Sequence, residues 1–265
     1  MVYSCLALKK NKRYPLFGLI LLLFFLWFNF PKQLLAAELK IAVASNFSKT
    51  AEVLVNHFEN QFSHTVSLSR SSSGKHYAQI KNGAPFDVFL AADSEWPKRL
   101  ENEGLTIAGS RFTYAIGKIV LWGSNQSYNG SGDQVLQQAD YRYVAIANPR
   151  LAPYGLAAKE ALINLGLWQG VEDKLVTGEN IGQALLFVQS GHAELGFIAA
   201  SQLKQLLDRA KGYVWRVPES LYTPLRQQAV LLKSSLAGKE FMRYLASDEA
   251  RAIIQNHGYD LVHAQ

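Results

Sequence analysis

The stretch Thr65-Val66-Ser67-Leu68-Ser69-Arg70-Ser71-Ser72-Ser73-Gly74-Lys75-His76-Tyr77-Ala78-Gln79-Ile80 decides how this chain is read. Its first four residues alternate like a strand and its last five have helical spacing, so the serine-rich centre is a strand-to-helix turn. A helix begins with about four N–H groups that lack intrahelical partners and with roughly half a positive charge. Serine hydroxyls beside those groups add neutral donors, and together they can cradle an anion. Taken alone, such a turn is more often a plain helix cap, because serine is an ordinary capping residue. The reading changes because the rest of the chain supplies more turns of the same kind.

Working outward, residues 39–44 form an apolar strand interrupted by Ser45-Asn46, two good capping residues. Phe47, Ala51, Leu54, Val55, Phe58 and Phe62 then share one helical face. Beyond the serine turn, Gly83 ends a short helix, residues 86–91 make another strand, and Asp93 caps a helix to about Asn102. Strands at 112–116 and 119–122 are split by Gly117-Lys118, and 123–133 reads as loop. The alternation resumes with strands at 143–147, 175–176, 195–198 and 213–217, and helices at 155–162, after Asn180, and at 201–210. A strand at 228–232 and helices at 237–246 and 248–257 complete the chain. Strands alternating with helices imply an α/β fold whose parallel sheets are covered on both faces. We expect two lobes, each a mainly parallel sheet flanked by helices, with a cleft between. Lobe I would comprise residues 38–115 and 226–265 and lobe II residues 116–225, with crossovers near 115–118 and 223–226.

Residues 1–37 stand apart. Lys9, Lys10, Lys12 and Arg13 precede an apolar run over 16–30, and Leu35-Ala36-Ala37 supplies a small-residue end. This is the pattern of a secretory signal peptide, with cleavage expected after Ala37. The apolar run is about 15 residues where a membrane span needs roughly 20, so a retained anchor is the lesser alternative. Five of the 27 basic residues and none of the 21 acidic ones lie in this segment, leaving 22 basic against 21 acidic. The whole-chain pI of 9.3 is therefore no argument for nucleic acid or a polybasic membrane contact. The single cysteine, Cys5, also lies there, so the remainder has no disulfide framework, thiolate nucleophile or zinc-thiolate site.

Ligands of open α/β sheets bind beyond the carboxyl ends of the strands. Four polar strand-to-helix turns stand at such positions: Ser45-Asn46, Ser72-Ser73-Gly74, Pro153-Tyr154-Gly155 and Glu179-Asn180-Ile181. Two belong to each expected lobe. Donors without acceptors select a fully deprotonated anion, because a protonated one needs a partner for its own hydrogen. Together with Gly83-Ala84-Pro85-Phe86-Asp87-Val88, Asn148-Pro149 and Glu194-Leu195-Gly196-Phe197-Ile198, these motifs resemble the periplasmic molybdate/tungstate-binding proteins of ABC importers over nearly all of residues 38–265. The resemblance implies the two-lobed (type II) architecture of periplasmic binding proteins, its lobes closing on one oxyanion, with Ser45 and Ser73 binding through hydroxyl and backbone N–H. It implies that Asn46, Tyr154 and Ile181 bind through backbone N–H. The metal is reached only through its oxygens, with no direct protein ligand. Some members add a tyrosine hydroxyl where this chain has Ala199, so the variant of the site that relies on Asn46 is expected. The resemblance further implies a molybdate or tungstate ligand and no cofactor, an ABC permease as membrane partner, no nucleic-acid partner, a monomer, and a periplasmic location.

Other classes fit less well. Ser73 and His76 could be imagined as nucleophile and base of a secreted enzyme, but His76 is expected along the helix surface, and no nucleophile elbow or orienting carboxylate is visible. Ser69 stands where a phosphate-binding loop needs its first glycine. The six histidines read as scattered surface residues without metal spacing. A binding protein for sulfate, phosphate, ferric ion or an organic acid is the nearer rival. Phosphate would want a carboxylate acceptor, for which Asp87 and Asp93 are candidates, and ferric ion an adjacent tyrosine pair that is absent.

Overall fold

The computed structural model describes residues 1–2, 38–138, 140–206 and 211–262. All but two residues of the expected leader, and the end of the helix expected over 201–210, lie outside them. Ala36–Gln265 form one compact unit containing two five-stranded sheets. No helix among the described residues is long and apolar enough to cross a membrane.

In the first sheet, β1 (Glu38–Ala44) pairs in parallel with β2 (Thr65–Ser71) from Glu38↔Thr65 to Ala44↔Ser71, and on its other side with β3 (Val88–Leu90). The sheet continues through β10 (Leu225–Leu231) to β4 (Phe112–Gly117), both pairings antiparallel. The second sheet has the order β7-β6-β8-β5-β9. There β6 (Val144–Ala147) is parallel to β7 (Leu175–Gly178) and β8 (Leu195–Ala199), while β5 (Ile119–Gly123) is antiparallel to β8 and β9 (Tyr213–Arg216). Each sheet is thus mixed in equal parts, with a larger antiparallel share than expected. The reason is the crossing: Lys118 alone separates β4 from β5, so a continuing strand enters the second sheet against its neighbours, and β10 does the same on its return.

The helices follow from apolar spacing. The first, α1 (Ser48–Gln61), buries Ala51, Leu54, Val55 and Phe58. Next come α2 (Ser73–Lys81) and α3 (Glu95–Asn102), then α4 (Gly132–Gln138), whose first residues had read as loop. In the second half, α5 (Pro153–Asn164) starts on a proline, which suits a first turn that needs no N–H there. It is followed by α6 (Trp168–Val171), α7 (Ile181–Gln189) and α8 (Ala200–Leu206), and the chain closes with α9 (Leu236–Leu245) and α10 (Asp248–Asn256). Phe47, Phe58, Phe241 and Tyr259 pack the first sheet, with Phe47 edge-on to Tyr114 at 4.8 Å and to Tyr259 at 5.2 Å. Trp122, Ile146, Leu162 and Phe197 pack the second.

Several local expectations need correction. Ser45-Asn46 do not cap α1: they lie in a 3-10 turn, Ser45–Phe47, and the residue before α1 is Phe47, without a side-chain bond. His76 does not lie on the surface. It is fully buried, Nε2–H donates to the Val43 carbonyl at 3.1 Å, the Gln79 carboxamide lies 3.0 Å from Nδ1, and burial holds its pKa down. A buried imidazole satisfied by its own surroundings is a packing group, not a base facing Ser73. His64 is buried as well, with Nε2 2.8 Å from Glu240. Asp93 sits two residues before α3 and accepts from Trp96 N–H at 3.3 Å, while Ser94 holds the cap position.

Candidate functional site

The parallel registers place the polar turns. Ala44 is opposite Ser71 and Ala147 is opposite Gly178, so β1 and β2 end at one level, as do β6 and β7. The chain leaves these ends through Ser45-Asn46, Ser72-Ser73, Asn148–Pro153 and Glu179-Asn180. Residues in or directly beside all four turns line one small cavity: Ala44, Ser45, Asn46, Ser72, Ser73, Ala92, Ala152, Pro153, Tyr154 and Ile181. All five residues expected at an anion site, Ser45, Asn46, Ser73, Tyr154 and Ile181, are in that lining, and both sheets contribute. No lining residue carries a charge.

The hydrogen bonds around the cavity define what each group can still offer. Ser73 Oγ accepts from Ala92 N–H at 2.9 Å, which occupies an acceptor position and leaves its proton free to be donated. Ser45 Oγ accepts from Gly182 N–H at 3.4 Å, a contact from the first lobe to the second. Ser73 and Ile181 are the first residues of α2 and α7, and Tyr154 is the second of α5, so their N–H groups lie where a helix has no acceptor of its own. Asn180 caps α7 through its side chain, accepting from Gly182 and Gln183, so this turn is partly a structural cap.

Ser72 was part of the serine turn but not among the expected binding residues. It precedes α2 without capping it, and its hydroxyl is buried without a hydrogen-bond partner. Ser72 is also in the cavity lining, where water or an ion could supply the missing partner. Only its adjacency to Ser73 could have marked it in the sequence.

Asn46 and Tyr154 turn their side chains away from the cavity into a buried polar network. Asn46 Nδ2 donates to Gln227 Oε1 at 2.9 Å and to Tyr259 OH at 3.2 Å, and Tyr259 OH donates to the Asn46 carbonyl at 2.8 Å. Gln227 Nε2 donates to Tyr154 OH at 3.1 Å. Burial raises the Tyr154 pKa well above that of an ordinary phenol, so the ring stays neutral. Both residues thus face the cavity with backbone. Gly117 makes room for this phenol, since a Cβ there would overlap Tyr154 OH. Ala199, at the position of the missing tyrosine, is buried outside the lining, and its N–H donates to Gln202 Oε1 at 3.0 Å. The nearest carboxyl in sequence is Asp93, one residue past Ala92, and burial pushes it up to about 7. Among the described residues no group of three or more His, Cys, Asp or Glu side chains could hold a metal ion.

Two α/β lobes that meet around a small cavity of uncharged donors define a two-lobed binding protein for a small solute. The chain belongs to the bacterial extracellular solute-binding proteins, whose family model matches residues 39–260. It is 45% identical over 229 residues to the molybdate-binding protein ModA of Azotobacter vinelandii, covering 85% of this chain and 91% of that protein. To ModA of Rhodobacter capsulatus it is 43% identical over 227 residues, 84% of this chain and 88% of the relative. Among solved structures, the periplasmic molybdate-binding protein of Azotobacter vinelandii superposes with a TM-score of 0.81 at 41% identity, over 85% of this chain and all of the other. The sulfate-binding protein SubI from Mycobacterium tuberculosis, at 13% identity and a TM-score of 0.67 over 86% of this chain and 88% of its own, shares the fold alone.

Proposed function

We propose that this protein captures molybdate, or its larger homologue tungstate, outside the cytoplasm and delivers it to the membrane permease of an ABC importer. The observation that carries this reading is the cavity built by both lobes, in which Ser45, Asn46, Ser73, Tyr154 and Ile181 converge without a charged side chain. Hydrogen bonds to a charged group contribute roughly 1.5–3 kcal/mol each, so about six donors can offset the desolvation of a dianion. Hydrogen phosphate would want a carboxylate to accept its proton, and the lining contains none. Sulfate has the same charge and shape with shorter bonds, so in a cavity fitted to the larger ion it leaves donors unmet, and unmet donors are costly. The identities to molybdate-binding relatives support the same ligand.

In this reading the oxyanion is cargo and not a cofactor, its metal touches the protein only through oxygen, and the chain carries out no chemistry of its own. Residues 1–37 act as an export signal, the protein works as a periplasmic monomer, and nucleic acid is not a partner. Isothermal titration with molybdate, tungstate, sulfate and phosphate tests the assignment. Molybdate and tungstate should bind at least a hundredfold more tightly than sulfate. Heat with sulfate and none with molybdate would overturn it.

A further inference from the structure

Gln227 is fully buried, yet it does not line the anion cavity. It lies on β10 just after the chain has returned from the second sheet to the first, at an irregularity between Gln227 and Gln228 where the register with β4 shifts. Its Oε1 accepts from Asn46 Nδ2 at 2.9 Å and faces Tyr114 OH at 3.2 Å, a phenol whose one proton is shared with the Ala91 carbonyl at 3.1 Å. Its Nε2 then faces Tyr154 OH at 3.1 Å. Asn46 Nδ2 reaches Tyr154 OH directly only at 3.4 Å, so the shorter bonds from Asn46 of the first sheet's side to Tyr154 of the second's run through this one carboxamide, and both residues present backbone to the cavity. The titratable groups around it are the phenols of Tyr114 on β4, Tyr154 on α5 and Tyr259 after α10, all buried, with the Asp93 carboxyl beyond Tyr114.

We propose that Gln227 is a positioning residue of the oxyanion site, whose amide holds Asn46 and Tyr154 in one fixed relation and so sets affinity without touching the ion. This rests on the reading of the cavity as an oxyanion site. The physical basis is that a buried amide fully engaged at both ends has one orientation, and reversing or removing either end leaves a buried polar group unpaired. The position was not legible as a site because its side chain acts through two neighbours and not on the ligand.

Gln227→Glu is nearly isosteric and separates positioning from bulk packing. An ionised carboxylate still accepts from Asn46 and Tyr114 and can accept from the Tyr154 phenol, but it donates nothing and adds a negative charge behind the cavity. The protonated acid keeps one donor. Molybdate titrations of the parent and of Gln227→Glu, each purified after expression as the full chain, should be run from pH 6 to pH 9. We expect the variant to bind at least tenfold more weakly than the parent at pH 9, with the deficit shrinking at least threefold towards pH 6 as the carboxyl takes up its proton. An affinity equal to the parent's across the range overturns the inference, and so does a constant deficit, which would mean that only packing was disturbed. If Gln227→Glu does not fold, Tyr154→Phe carries the test, because it removes the phenol that Gln227 engages at 3.1 Å, and Asn46 more weakly at 3.4 Å, while keeping the backbone. A loss of threefold or more then supports the inference, and an unchanged affinity overturns it. A parent that binds none of the tetrahedral oxyanions overturns the site reading itself, which distinguishes that failure from this one.

Discussion

The amide N–H of Gly74 donates to the carbonyl oxygen of Leu151 at 2.8 Å, a backbone bond from the turn that opens α2 to the turn that follows β6. The two residues belong to different lobes, so the closed arrangement is held by main chain as well as by side chains. A Cβ on Gly74 would stand 2.9 Å from Cζ2 of Trp96 and 3.0 Å from both Cα and the carbonyl oxygen of Leu151. Backbone atoms cannot rotate aside as a flexible side chain can. Gly74→Ala is therefore expected to prop the lobes apart by a few tenths of an ångström and to weaken molybdate binding at least tenfold in calorimetry. The melting temperature without ligand should stay within about 2 °C of the parent's, since each lobe keeps its own core. Unchanged affinity would show that the contact yields.

Ser73 and Ser72 give a paired prediction. Ser73→Ala removes a hydroxyl whose acceptor side is already taken by Ala92 N–H. The expected loss is about 1.5–3 kcal/mol of binding free energy, at least tenfold in affinity. Ser72→Ala removes the unpartnered hydroxyl. If that group meets the ion, binding weakens by a similar factor while the unliganded protein loses no stability. Affinity equal to the parent's would assign Ser72 to packing.

Lys75 Nζ lies 3.2 Å from Glu179 Oε2 across the cleft mouth, with both side chains about half exposed or more. Exposed pairs contribute only about 0–1 kcal/mol. Lys75→Ala should therefore weaken oxyanion binding by no more than about fivefold, and the difference should shrink as salt rises. A loss beyond fiftyfold, insensitive to salt, would place Lys75 in the site itself.

Asp93 bears on stability and not on capture. With its folded pKa raised to about 7 from 3.8, the native state holds a proton that the unfolded chain has lost. Stability from this group is therefore complete below about pH 4, falls as pH rises towards 7, and is level above that. Asp93→Asn should raise the unfolding free energy at pH 8 by on the order of 1 kcal/mol or more and flatten its pH dependence between 4 and 7. Denaturant unfolding at several pH values checks both, and a variant less stable than the parent at pH 8 would reverse the sign.

The turns were legible because they obey local rules. A strand ending in Ser45-Asn46, a serine run before a helix, and an asparagine before Ile181 all announce where chain direction changes. Their convergence required only that parallel strands end together. What escaped was set by contacts distant in sequence. His76 carries the spacing of an exposed helical residue, but α2 packs so that its ring reaches the Val43 carbonyl of β1. Gln227 is hidden because β10 begins at Leu225, whereas the apolar run is evident only from Ala229, and the irregularity beside Gln227 breaks the alternation that would have marked it as inward-facing. The strand was expected only from Gln228, and Gln227, one residue outside it, bonds to residues on both sides of the cavity. The mixed sheets escaped for a related reason, since strand direction after Lys118 depends on where the chain crosses and not on the composition of β5.

The cavity wall is shared between the two lobes, so neither holds a complete cage. In the proposed function, departure of the cargo and separation of the halves would be a single event. A transporter that grips both halves and spreads them would empty the cage by mechanical means, with no group of its own needing to reach the ion. Conversely, an ion that fills the cage rivets the halves together, and the filled protein would show its partner a shape that the empty one lacks.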